Sequence, residues 1–346
     1  MTDIWTRLKG ESLPILLYGT GNGADKILDE CERLSIKIDG VFASSGFVRD
    51  RIFRGYKVMS FKQAEEIFGQ FVALMAFGSN RAEVLDNIKY IMSRQTLLAP
   101  DVPVYGNDIF NIDYAIKHRK ELFAAYSLLA DEQSRKVFEQ TVLYKLDGDI
   151  SRLFSCESDE GEAFEKILSL TKGDSFLDVG AYNGDTVLDF IHRVGEYGRI
   201  TAIEPDKRSF LKLVKNTDGL GVECINAAIG KQCGEMPFSS KGSRGSNAGK
   251  GETIKTVSID SLALDKGFDY IKLDVEGMEY EALCSAEKTI VRHRPKMLVS
   301  AYHKSEDLFT LPIKLHELCP EYKIYMRHYP YVPAWDTNFY AVTTSG

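Results

Sequence analysis

The stretch Phe176-Leu177-Asp178-Val179-Gly180-Ala181-Tyr182-Asn183-Gly184-Asp185-Thr186 decides the fold. An apolar run ends in an acidic residue, two glycines follow four apart, and Val187, Phe190, Ile191 and Val194 recur at the spacing of one helical face. That order predicts strand, tight turn and helix. In an open α/β sheet such a turn lies at the carboxyl end of a strand, where ligands bind, and Gly180 and Gly184 let a ligand approach the backbone closely. The spacing is not the dinucleotide fingerprint, and no Lys-Ser or Lys-Thr is present for a phosphate loop.

Outward from this turn the alternation continues. Residues 162–170 read as a helix before it, and residues 199–203 as a strand ending in Glu204-Pro205-Asp206, followed by a helix with Phe210, Leu211 and Val214. A third strand is expected at 222–225, and residues 241–251, rich in Gly and Ser, read as a mobile loop. Strands follow at 268–274 and 297–301, with a helix from Glu279 between them, and residues 323–326 and 338–342 offer a closing pair. Towards the N-terminus, Pro14-Ile15-Leu16-Leu17-Tyr18 leads into Gly19-Thr20-Gly21-Asn22-Gly23 and a helix carrying Ile27, Leu28, Cys31 and Leu34. Strands at 38–43, 58–59 and 72–77 and a helix at 61–68 complete a second, smaller α/β pattern. The expected division is a small Rossmann-like domain over 1–110, two connecting helices over 111–154, read as a spacer or oligomer contact, and a larger α/β domain over 155–346.

The glycine loop at 19–23 suggests a nicotinamide-dependent oxidoreductase as the alternative reading. Its spacing is GxGxG, and where a ribose-binding carboxylate belongs, after the second strand, stand Ala43-Ser44-Ser45; Asp39 precedes that run. The other readings of this half are a nucleotide-sugar module and a ligand-free structural domain. In loop and strand order it loosely resembles the N-terminal domains of sugar acetyltransferases of the PglD type.

Across 346 residues, apolar side chains make up 44%, enough for a core in each half, and a formal net charge of −7 argues against nucleic acid as the partner. The six cysteines are scattered without a CxxC pair, which reads as free thiols in a reducing, cytoplasmic setting. No apolar run approaches the length of a membrane span.

Four strand ends would share one sheet edge: Asp178 to Gly184, Glu204, Asp274 to Glu276, and Tyr302-His303. Glu204 stands one strand after the glycine turn, where a carboxylate accepts both hydroxyls of a ribose. Glycine turn and acid together form the pattern of class I methyltransferases using S-adenosylmethionine. Ile271-Lys272-Leu273-Asp274-Val275-Glu276-Gly277-Met278-Glu279, Ser300-Ala301-Tyr302-His303-Lys304 and Tyr325-Met326-Arg327-His328-Tyr329 narrow it: residues 155–346 resemble the FkbM family of methyltransferases. The resemblance implies a Rossmann-like sheet with a reversed last strand, and O-methylation of a hydroxyl on a sugar or secondary metabolite. It implies a cofactor site at Asp178, Gly180, Tyr182, Asn183, Gly184, Asp185, Glu204 and Asp206.

On the acceptor side, His303 is the candidate base, with Asp274, Glu276 and Tyr302 to orient the acceptor or share the proton. A divalent metal on Asp274, Glu276 and His303 is the lesser expectation, since no sequence-local ligand spacing supports it. Simpler roles stand beside these. Asp178 fixes the glycine turn by accepting N–H groups, Asp206 caps the helix from Lys207, Glu279 caps its own helix, Asp260 closes a turn or touches adenine, and His328 serves folding.

Overall fold

The computed structural model describes residues 2–44, 46, 48, 51–103, 105–106, 108–237, 253–263 and 265–343; the loop expected at 241–251 lies outside them. In the N-terminal half, β1 (Ile15–Tyr18), β2 (Gly40–Ala43), β3 (Ile52–Phe53), β4 (Tyr56–Ser60), β5 (Val72–Met75) and β6 (Thr96–Leu98) form one sheet in the order β3-β4-β2-β1-β5-β6. All pairs are parallel except β3 with β4. Every residue of β1, β2 and β5 is buried, as a sheet covered on both faces requires. The helix Asn22–Arg33 buries Ala24, Ile27, Leu28 and Cys31, one stripe at helical spacing.

The C-terminal half begins with β7 (Phe176–Val179), β8 (Ile200–Ile203) and β9 (Glu223–Ile225). A three-stranded sheet that the sequence pattern did not reveal follows, made of β10 (Ala228–Ile229), β11 (Gly234–Pro237) and β12 (Thr253–Val257). Then come β13 (Tyr270–Leu273), β14 (Lys296–Ser300), β15 (Tyr322–His328) and β16 (Thr337–Thr343). The seven-stranded sheet runs β15-β16-β14-β13-β7-β8-β9, parallel except for β16, which lies antiparallel to both β14 and β15. The chain builds outward from β7 through β9 and then crosses back to β13. The switch point, where a crevice opens at the carboxyl edge, therefore lies between β7 and β13.

Residues 111–154 form four helices, not two: Ile112–Lys117, Arg119–Ser127, Glu132–Asp147 and Ser151–Ser155. Asp131 starts the longest by accepting the Ser134 N–H, and Gly148, in the left-handed region at φ 69°, ends it. These helices do not stand apart from the two cores. Val137, Phe138 and Leu146 join the core of the seven-stranded sheet, whereas Tyr144, Ile150 and Leu153 join that of the N-terminal sheet. The helix expected at 162–170 is a single turn, Glu160–Glu162, running into a π-helix, Ala163–Leu168. The helix from Glu279 breaks at Ala286 into Glu279–Ser285 and Glu287–His293.

Candidate active site

The turn after β7 is built around a close approach. Gly180 sits at φ +87°, and a Cβ there would lie 1.8 Å from the Asp274 carbonyl oxygen across the switch point, so no other residue fits. Gly184, at φ +86°, opens the helix Asp185–Val194 against Leu213. Between them Tyr182 stands at φ +47° with its ring 44% exposed. Asn183 Oδ1 accepts the Asp185 N–H and Asp185 Oδ1 that of Thr186, which stiffens the turn from within.

Glu204, 7% exposed, follows β8. Its Oε2 accepts the Tyr182 N–H at 2.8 Å and its Oε1 the Asp206 N–H at 2.7 Å. Burial pushes its carboxyl up to about 7, against the pull of those two donors. Asp206 caps the helix Lys207–Asn216 through the Arg208 and Ser209 N–H groups. Asp178 differs from its expected simple role. Fully buried, it pairs with Lys272 Nζ at 3.2 Å, and its Oδ2 meets no donor among the described residues. Lys272 lies opposite Asp178 in the β13–β7 register and also reaches Asp274 Oδ2 at 3.6 Å. Burial opposes its charge, but these two carboxylates hold its pKa above the usual lysine value.

Beyond β13 and β14 the acceptor-side candidates converge. Tyr302 Oη donates to Asp274 Oδ1 at 3.0 Å, and its ring lies 4.2 Å from that of His303. His303, 1% exposed, places Nε2 3.7 Å from both Asp274 Oδ1 and Glu276 Oε2 and Nδ1 2.9 Å from Glu279 Oε1. The last contact is an ion pair rather than a well-angled hydrogen bond. Burial disfavours a charged imidazole, yet Glu279, Asp274 and Glu276 push it up to about 10. Asp274 loses solvation but is held below the usual carboxylate range by Lys272 and His303. Glu276 stands in the left-handed region at φ 51°, where the loop turns sharply.

Glu279 does not cap its helix. It is fully buried, accepts the Val275 N–H at 2.8 Å and faces His303. Asp307, at the start of the helix Asp307–Leu318, has its carboxyl raised to about 8 by burial and by Glu279. Lys272 and Asp307 belong to this cluster although sequence reasoning passed over them; the signal for Lys272 was a lysine inside an otherwise apolar strand. Asp260 caps the Glu287–His293 region through the Thr289 N–H. His328 is buried, sits 2.9 Å from Thr337 Oγ1 through Nδ1, and has its pKa pushed down to about 3 by burial, which fits a folding role.

The N-terminal half reaches this cluster. The Tyr105 N–H donates to the His303 carbonyl at 3.0 Å, and its ring covers Gly277, where a Cβ would come within 2.8 Å. Ser305 Oγ donates to the Asp108 carbonyl, and Ser79, beyond β5, pairs with Val332 beyond β15. These segments follow β5, β6, β13, β14 and β15, so the carboxyl edges of both sheets face each other. Packing accounts for two of the three glycines at 19–23: a Cβ on Gly23 would meet the Ala76 carbonyl at 2.5 Å and one on Gly19 the Phe77 ring at 2.9 Å, whereas Gly21 has nothing within 4 Å. Asp39 accepts the Ile15 N–H, which sets it at the opposite, amino edge of the sheet. All six cysteines are free thiols, and among the described residues no helix is long and apolar enough to cross a membrane.

Residues 178–332 match the Methyltransferase FkbM domain. No curated protein matches the chain significantly. Among solved structures, methyltransferase FkbM from Methylobacillus flagellatus KT is similar over 96% of this chain and 90% of its own, at 20% identity and a TM-score of 0.72. That likeness carries the fold of both halves. Aeropyrum pernix fibrillarin, solved with natively bound S-adenosyl-L-methionine, covers 50% of this chain and 67% of its own at 17% identity and a TM-score of 0.34. The match to the Methyltransferase FkbM domain over residues 178–332 thus falls on the half of the chain that builds the seven-stranded sheet with its reversed β16, set against a second α/β domain.

Proposed function

We propose that the chain moves a methyl group from S-adenosylmethionine to a hydroxyl of a sugar or of a glycosylated or secondary metabolite. The observation that carries the donor half of this reading is Glu204. An ionised carboxylate offers about four lone-pair sites, and the Tyr182 and Asp206 N–H groups take one on each oxygen. One site per oxygen is left for the paired hydroxyls of a ribose. The close approach at Gly180 and the exposed Tyr182 ring suit the amino acid and nucleoside parts of the same molecule. When bound, S-adenosylmethionine supplies an electrophilic methyl on a positively charged sulfur. Asp178, Asn183, Asp185 and Asp206 shape the surrounding turns, and the three aspartates among them would supply carboxylates to a cationic cofactor.

The acceptor belongs across the crevice, between the two facing carboxyl edges. There Tyr302 and the carboxylates of Asp274 and Glu276 position the hydroxyl and receive its proton, while His303 holds those carboxylates in place. The reading keeps 1–110, 111–154 and 155–346 as functional divisions, with the first shaping the acceptor cleft. Calorimetry with S-adenosylmethionine tests the donor half. Wild type binds one equivalent, and Glu204→Ala weakens binding at least about tenfold, the loss expected for hydrogen bonds to a charged acceptor; unchanged binding overturns the assignment. His303→Ala is expected to keep cofactor affinity and to lose turnover about a hundredfold. Unchanged turnover removes His303 from the site.

A further inference from the structure

His303 is almost wholly buried, at 1% exposure; its Nδ1 lacks a well-angled hydrogen bond, and its Nε2 faces two carboxylates. The separations, 3.7 Å to Asp274 Oδ1 and 3.7 Å to Glu276 Oε2, are too long for hydrogen bonds. Each is close to the wider spacing of two ligands on one cation: donors about 2.1 Å from an ion stand roughly 3.0 Å apart at a right angle and roughly 3.6 Å apart at 120°. On the far side of the ring, Glu279 Oε1 lies 2.9 Å from Nδ1 and is itself fixed by the Val275 N–H. A carboxylate beside the second nitrogen is the usual companion of a metal-ligating histidine. Donor atoms of Asp274, Glu279 and His303 all fall within 4.8 Å of one another.

We infer that this edge of the crevice binds one divalent cation of the kind that takes mixed imidazole and carboxylate ligands. His303 Nε2 and Asp274 Oδ1 are its protein ligands, Glu276 reaches it from the water-facing side, and Glu279 positions the histidine. Two or three protein donors leave positions for water and for the acceptor's oxygen, the pattern of cations that share their shell with substrate. Tyr302, bonded to Asp274 Oδ1, orients that carboxylate. The inference deepens the acceptor half of the function proposed above and rests on it for the role of the ion, though not for its binding.

The full-length protein, stripped with a chelator, is titrated with Mn2+ and the free ion is read by electron paramagnetic resonance. One site per chain is expected, abolished by His303→Asn and weakened at least about tenfold by Asp274→Asn and by Glu279→Gln, the last being the usual cost of losing an orienting partner. Should the buried variants lose their fold by circular dichroism, Glu276→Gln decides: it weakens Mn2+ binding without changing thermal unfolding. No binding at millimolar Mn2+, wild-type binding in folded His303→Asn or Asp274→Asn, or, where only Glu276→Gln folds, wild-type binding in it, overturns the site. Calorimetry with S-adenosylmethionine in chelator separates the two readings. Cofactor binding without Mn2+ binding removes only the ion, and Mn2+ binding without cofactor binding removes only the donor.

Discussion

Glu204 brings burial and recognition into conflict. Its carboxyl is pushed up to about 7, so near neutrality the folded protein holds a mixture of the neutral and ionised forms. For folding, a carboxyl raised above its ordinary value favours the folded state at low pH, and that contribution fades as pH rises from the unfolded value through about 7. Ribose recognition has the opposite sign, because only the ionised group accepts from both hydroxyls without offering a competing proton. S-adenosylmethionine is therefore expected to bind about tenfold more weakly at pH 6 than at pH 8. Calorimetry across that range checks it, with Glu204→Gln losing the dependence; a flat wild-type profile contradicts the assignment. Glu204 was legible in the sequence because its role follows from distance along the chain, one strand after a glycine turn. Lys272 and Asp307 were not, because their partners are set by strand register and helix docking: Lys272 meets Asp178 only once β13 lies beside β7.

Among the elements, the helix Glu132–Asp147 shows what alternation in sequence could not convey. Its apolar positions serve two cores, so no single stripe announces it, and its ends are set by Asp131 and Gly148 rather than by the apolar pattern. Asp131 does more than cap. Its Oδ2 accepts from Arg327 Nη2 at 2.7 Å, and Ser134 Oγ accepts from Arg327 Nη1 at 2.9 Å while receiving the Met326 N–H. Arg327 is 1% exposed, next to the last residue of β15. Asp131→Ala removes the cap and leaves the guanidinium buried without its closest carboxylate. The expected loss is about 3 kcal/mol, the low end for breaking a buried pair, because the Asp131 side chain is 34% exposed and water replaces part of the interaction. Chemical denaturation of wild type and variant measures it, and a loss below about 1 kcal/mol reduces the pair to the value of a surface contact. The strands of the seven-stranded sheet were readable for the converse reason: β7, β8 and β13 are buried along their whole length and show as short apolar runs.

At the scale of the molecule, two sheets present their carboxyl edges to each other, and the contacts between them involve the backbone of the loops that carry the candidate site. Tyr105 holds the His303 carbonyl, Asp108 holds Ser305, and Ser79 pairs with Val332. The sequence showed two α/β patterns but not that the second depends on residues assigned to the first and to the connecting helices. Removing residues 1–154 would strip Phe110, Leu129, Val137, Phe138 and Leu146 from the core of the seven-stranded sheet. It would also take Asp131 and Ser134 from Arg327, leaving Glu162 at 3.7 Å as its nearest carboxylate. Each lost large apolar contact costs on the order of 1.5–3 kcal/mol, and a domain of ordinary stability has only about 5–15 kcal/mol in all. Residues 155–346 expressed alone are therefore expected to lose cooperative thermal unfolding and cofactor binding together. Calorimetric scanning of that fragment beside the intact chain gives the answer. A sharp transition near that of the intact protein, with S-adenosylmethionine bound at wild-type affinity, would show that the methyltransferase domain stands by itself and that the N-terminal half acts on the acceptor alone.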